Sequence, residues 1–78
     1  MIDYSITKEI NLFKVEENYF TANYNGKIYY IGELLFICLK SIQKNQSIEE
    51  ITTQLNAEYE LDVDTDFVQK NVTDFLKK

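Results

Sequence analysis

Residues 24–35 read YNGKIYYIGELL. Asn25-Gly26 is the strongest short-range hairpin signal in the chain, because both residues tolerate the positive φ of a type I′ turn. The stretch predicts a strand ending at Tyr24 and a return strand over residues 27–31, KIYYI. Past Gly32 the periodicity changes. A two-residue loop also fixes the register. Tyr24 is expected opposite Lys27, Ala22 opposite Tyr29 and Phe20 opposite Ile31, all on one face. Thr21 and Asn23, set against Tyr30 and Ile28, make the other. The first face has the apolar weight of a core face. The second is polar on one strand and apolar on the next.

Upstream, residues 18–24 (NYFTANY) read as the second strand, and residues 10–16 (INLFKVE) as the first. Downstream, residues 33–44 read as a helix that is apolar at Leu34, Leu35, Phe36, Ile37, Cys38, Leu39 and Ile42. A helix apolar nearly all round is expected to be buried. The short run LLFICL also fits a buried strand. Ser47-Ile48-Glu49-Glu50 is a capping box: the serine hydroxyl accepts from the third helical amide while Glu50 reaches back to the serine amide. It opens a helix over residues 47–59, with Ile48, Ile51, Leu55 and Tyr59 on one face. A last helix is expected over residues 65–77, with carboxylates in its first turn and Lys77 and Lys78 at its end, as the helix dipole favours. Val68, Val72, Phe75 and Leu76 form its buried stripe, and Phe67 sits at the edge. The expected class is α+β: a three-stranded antiparallel meander followed by three helices in one domain, residues 1–78.

Composition narrows the function. The 78 residues suffice for one small core, and the hydrophobic fraction of 45% lets the chain collapse. Histidine is absent, which removes the commonest general base and metal ligand. The one cysteine, Cys38, allows neither an internal disulfide nor a Cys-His zinc site. A cytoplasmic setting is the expectation. The N-terminal MIDYSITKEI carries charge where a signal peptide needs an apolar core. The apolar run at residues 34–39 is far short of the ~20 residues that span a bilayer. The formal net charge is -5, arginine is absent, and the eight lysines are scattered. Nucleic-acid binding depends on basic side chains that displace counterions, so a phosphate-binding face is not expected.

No constellation of residues reads as a catalytic site. DVDTD, residues 62–66, resembles the start of a calcium loop. That loop needs glycine at its sixth position and glutamate at its twelfth, where this chain has Phe67 and Thr73. A solvated loop and helix N-terminus is the better reading. Glu49 and Glu50 have no apolar pocket, and Cys38 has no histidine to activate it. No glycine-rich phosphate loop is possible with two glycines. The expectation is a protein without enzymatic activity, cofactor or metal. The six tyrosines remain. Tyrosine suits interfaces because it joins a large rigid ring to a polar tip. Tyr30 and Ile28, on the less core-like face, are the interface candidates.

The order of these parts resembles the PqqD-like family, the RiPP recognition elements. The resemblance runs from about residue 19 to residue 76. It rests on a meander ending in GKIYYIG, a buried helix, the SIEEI stretch, and EYELDVDTDFVQKNVTDFL. Two features depart from the family. Lys44-Asn45-Gln46 stands where it commonly has an Asp-Gly-like turn. Its tail often continues with further apolar residues, whereas this chain stops at Lys78, so a fragment or trimmed chain is one expectation.

The resemblance implies a winged-helix-like fold. It also implies a non-catalytic role: binding the leader of a precursor peptide and presenting it to a modifying enzyme such as a radical maturase, protease or cyclase. The leader would add as a strand to residues 27–31, through backbone groups of Lys27, Ile28, Tyr29, Tyr30 and Ile31, and pack toward the last helix. Phe67, Lys70, Asn71 and Asp74, along one margin of that helix, would line the groove, with Ile28 and Tyr30 as its sheet-side wall. The implied protein is a monomer or weak dimer that engages neither nucleic acid nor membrane. The rival readings are a winged-helix nucleic-acid binder, which the acidic balance opposes, and a homodimeric interaction module paired through its strand edges.

Overall fold

The computed structural model describes residues 5–78, with only the backbone of Ser5 and Ile6. Residues 1–4 of the MIDYSITKEI segment lie outside the described residues. A 3-10 turn, Ser5–Glu9, leads into β1 (Asn11–Glu16), β2 (Tyr19–Tyr24) and β3 (Lys27–Ile31). Three helices follow: α1 (Glu33–Gln43), α2 (Ile48–Tyr59) and α3 (Thr65–Leu76). The strands form one antiparallel sheet in the order β1-β2-β3. The fold is therefore the α+β arrangement read from the sequence, and it is compatible with the winged-helix-like expectation.

The turn behaves as its sequence dictates. Asn25 and Gly26 have φ of 53° and 75°. The register pairs Tyr24 with Lys27, Ala22 with Tyr29 and Phe20 with Ile31. Phe20, Ala22 and Tyr24 are consequently buried against the helices. Between β1 and β2 the register shifts at Lys14/Glu16. This bulge adds one residue to β1 and increases its local twist.

The core gathers Ala22 and Tyr24 from the sheet, Cys38, Leu39 and Ile42 from α1, Ile51 and Leu55 from α2, and Val68, Val72 and Phe75 from α3. Ile10 completes it from just outside β1. The sequence reading started the strand at Ile10. In the structure the Ile10 amide instead donates to the Thr7 carbonyl at 3.1 Å, which belongs to the preceding turn.

Two burial expectations are corrected. The first half of α1 is only half-buried: Leu34, Leu35, Phe36 and Ile37 line the rim of the core, and Cys38, Leu39 and Ile42 enter it. A three-stranded sheet is too narrow to cover every side of an apolar helix. Tyr59, placed on the buried face of α2, is exposed. It is the last residue of the helix, and the chain turns away at Glu60 with a left-handed φ of 54°.

Polar side chains secure the junctions between elements. The Ser47 hydroxyl accepts from the Glu50 amide at 3.1 Å, and the Ser47 amide donates to the Glu50 carboxylate at 3.1 Å, which completes the capping box. Gln43 Nε2 donates to the carbonyls of Thr7 at 2.7 Å and Ile10 at 2.8 Å, holding the N-terminal turn on α1. Asn56 makes two bonds with Val63: its Nδ2 donates to the carbonyl at 2.9 Å and its Oδ1 accepts from the amide at 3.0 Å. That amide side chain thus serves the backbone of the α2–α3 loop as a neighbouring strand would.

Asn56→Ala removes both partners of a part-buried peptide group. It should lower unfolding stability by about 1–3 kcal/mol, read as a fall in the urea midpoint with an unchanged slope.

Candidate peptide-docking edge

Among the described residues β3 pairs with β2 alone, so its other side is a free edge. The turn decides which of its peptide groups face that edge. In a two-residue hairpin, Tyr24 and Lys27 form a hydrogen-bonded pair, and bonded and non-bonded pairs alternate from there. With the observed register, Lys27, Tyr29 and Ile31 direct their N–H and C=O groups to β2. Ile28 and Tyr30 direct theirs outward. The sequence reading named all five residues as ladder donors and acceptors; the register reduces the outward set to two.

β1 is the other edge of the sheet, and it differs in kind. Its bulge and its charged Lys14 and Glu16 interrupt a regular ladder. Both are devices by which sheets discourage strand addition. β3 has a continuous register and carries charge only at Lys27.

The side chains of β3 alternate between the two faces. Tyr29 points toward the helices: its ring meets Phe75 edge-on at 5.5 Å between centroids, and Lys78 Nζ lies 5.7 Å from its centre. Ile31 packs against the core beside it. Ile28 and Tyr30 lie on the opposite, outer face and are exposed. The expected sheet-side wall of a β3–α3 groove was Ile28 and Tyr30. Strand alternation gives that position to Tyr29 and Ile31 instead.

On α3, Phe67, Asn71 and Phe75 form a row at four-residue steps, and Asn71 Nδ2 donates to the Phe67 carbonyl at 2.7 Å. Phe67 and Asn71 are exposed, while Phe75 is buried against Tyr29 and Tyr24. The row thus leads from the β3 contact along the helix. Lys70 and Asp74 lie farther round. With Asp66, Gln69, Thr73 and Lys77 they line a shallow, solvent-facing depression. Two contributors escaped the sequence reading: Tyr29 as a wall residue and Lys78 beside it. Strand alternation already placed Tyr29 on the core side. Lys78 had no signal, since its approach depends on how α3 docks.

Among the described residues, no buried side-chain N or O atom lacks a hydrogen-bond partner. Asp64, within DVDTD, caps α3 by accepting from the Phe67 amide at 2.9 Å. Among the described residues, no three His, Cys, Asp or Glu side chains gather where they could hold a metal ion. No helix among them is long and apolar enough to cross a membrane. Burial pushes the Cys38 thiol up to about 11.

The chain matches no family model, no curated protein and no solved structure at a significant level.

The buried Cys38 holds its proton more tightly when folded than when unfolded. Stability should therefore be independent of this group below the ordinary thiol value of 9.0 and fall as pH rises from there to about 11. Denaturation midpoints measured between these limits should decline less steeply for Cys38→Ala than for the parent. Tyrosine ionisation is common to both proteins and cancels in the comparison.

Proposed function

We propose that the domain is a non-catalytic peptide-binding module. An extended leader segment of a ribosomally made precursor adds to β3 as a fourth strand and is presented to a peptide-modifying enzyme. One observation carries this reading: an unbulged edge strand whose Ile28 and Tyr30 peptide groups are turned outward beside α3. Strand addition draws affinity from main-chain bonds and selectivity from neighbouring side-chain pockets. Tyr29, Ile31, Phe67 and Asn71 are the side chains placed to supply that selectivity. Lys70 and Asp74, in the depression farther round α3, engage a ligand that extends across that helix. The order of sequence elements shared with the PqqD-like family supports the same role. A cytoplasmic setting agrees with a single, buried, unpaired cysteine.

The test is titration of the isotope-labelled chain with synthetic N-terminal segments of the short peptides encoded beside its gene. Amide shifts should gather on residues 27–31 and along the Phe67–Asn71–Phe75 row. Perturbation confined to β1, or no binding by any such segment, would overturn the proposal.

A proline pair separates the two sides of β3. Tyr30→Pro removes an outward donor, so it should keep the fold and weaken peptide binding at least tenfold. Tyr29→Pro removes a bond to β2 and should lower the melting temperature sharply. Calorimetric titration and thermal melts read the two effects.

A further inference from the structure

The face of the sheet turned away from the helices is apolar, and none of the described residues covers it. Phe13, Val15, Tyr19, Ile28 and Tyr30 are 49%, 62%, 57%, 65% and 77% exposed. These five lie together because strand alternation and the β1 bulge turn them to one side. Phe13 and Tyr30 flank Thr21 across the two ladders. The Tyr19 and Tyr30 rings meet edge-on, 6.3 Å apart. A shallow concavity runs between Val15, Glu16, Tyr19, Thr21 and Tyr30. Thr21, at the centre, is already buried beneath its neighbours.

We propose that this face is the interface of a symmetric dimer, with the sheet of a second copy packed upon it. Two arguments select a second copy. The first is area. Aromatic rings of ~150–250 Å² each, exposed to these extents, together with Val15 and Ile28, present roughly 500 Å² of apolar surface. That is near the upper end of what a monomer leaves open, ~300–600 Å². With a polar rim it approaches the ~800 Å² that each partner contributes to a standard interface.

The second argument is charge. A twofold interface brings a surface against itself, so like charges near its centre would exclude it. The centre of this face is uncharged. Glu16 lies at one end beside the β1–β2 turn, and Asn11 and Asn23 lie paired at the other. A twofold axis lying in the interface plane and running across the strands near Thr21 sets the copies antiparallel. Each Glu16 then faces the asparagine amides of its partner, and the two Glu16 carboxylates stay at opposite ends. Two acidic chains can associate there without opposing their charges. The β3 edge remains free in this arrangement, so the dimer is independent of peptide binding.

The experiment is sedimentation equilibrium of the full chain without ligand, from ~1 µM to ~1 mM. The average mass should climb from the monomer value toward twice that value. The double variant Val15→Lys/Tyr19→Lys should stay monomeric, or require at least a hundredfold higher concentration to associate, while keeping the parent's circular dichroism. This variant is less acidic than the parent, so its loss of association could not be ascribed to net repulsion. Dilution of the labelled parent gives a second reading that needs no variant: shifts should gather on Phe13, Val15, Tyr19, Ile28 and Tyr30 and spare the helices. A chain that remains monomeric throughout, a dimer unaffected by the double variant, or dilution shifts confined to the half-buried start of α1 would each overturn the assignment.

Discussion

The two-residue turn at Asn25-Gly26 is the constraint on which the rest of the molecule depends. Its left-handed backbone lets β2 reverse without a spare residue, and the register then has no freedom. A slip of one residue would send Phe20, Ala22 and Tyr24 to solvent and bring Thr21 and Asn23 inward. With the register as it is, Tyr24 stacks on Phe75 at 5.6 Å and its hydroxyl donates to the Leu76 carbonyl at 3.1 Å. Asn25 Nδ2 reaches the Lys78 carbonyl at 3.4 Å. The turn is therefore tied to the C-terminal end of α3, where orphan carbonyls need donors. One local conformation sets the sheet face, the docking of the last helix and the identity of the free peptide groups on β3.

A domain this small has little apolar area to spare, and its junctions are correspondingly polar and specific. Gln43, Ser47, Asn56 and Asp64 each satisfy backbone groups where one element gives way to the next. Such bonds add only modest net stability, but a buried backbone group left without a partner costs more. Their value lies in fixing how the elements meet. The helices pack on one face of the sheet and leave β3 beside α3 with an open edge. Among the described residues, no layer covers the opposite face of the sheet. The two surfaces proposed for binding, the β3 edge and the outer face, both follow from laying three helices against one side of three strands.

Much of this was legible in the sequence, for physical reasons that differ by element. Strand β3, the turn and the capping box of α2 rest on contacts within four residues, so local chemistry specifies them. The first half of α1 was misjudged because an apolar pattern reports what a helix could bury, and not how much sheet is available to cover it. Tyr59 fitted the periodicity of α2 but stands at its last turn, where the backbone leaves the helix. The 3-10 turn and the hold of Gln43 upon it had no local signal, since the partners lie more than thirty residues apart.

The candidate site divides along the same line. The sequence by itself determined that residues 27–31 form a strand, that a two-residue turn sets its register, and that Phe67 and Asn71 share a margin of the last helix. Those are consequences of backbone stereochemistry and of helix and strand periods, which need no partner. Only the tertiary structure decided that β3 is a free, regular edge while β1 is bulged. Only it decided that Tyr29 meets Phe75 of α3 and that Lys70 and Asp74 line a depression with Gln69 and Thr73. These depend on how the sheet twists and how α3 docks across it. Both are set by contacts between residues far apart in the chain, which no short stretch of sequence encodes.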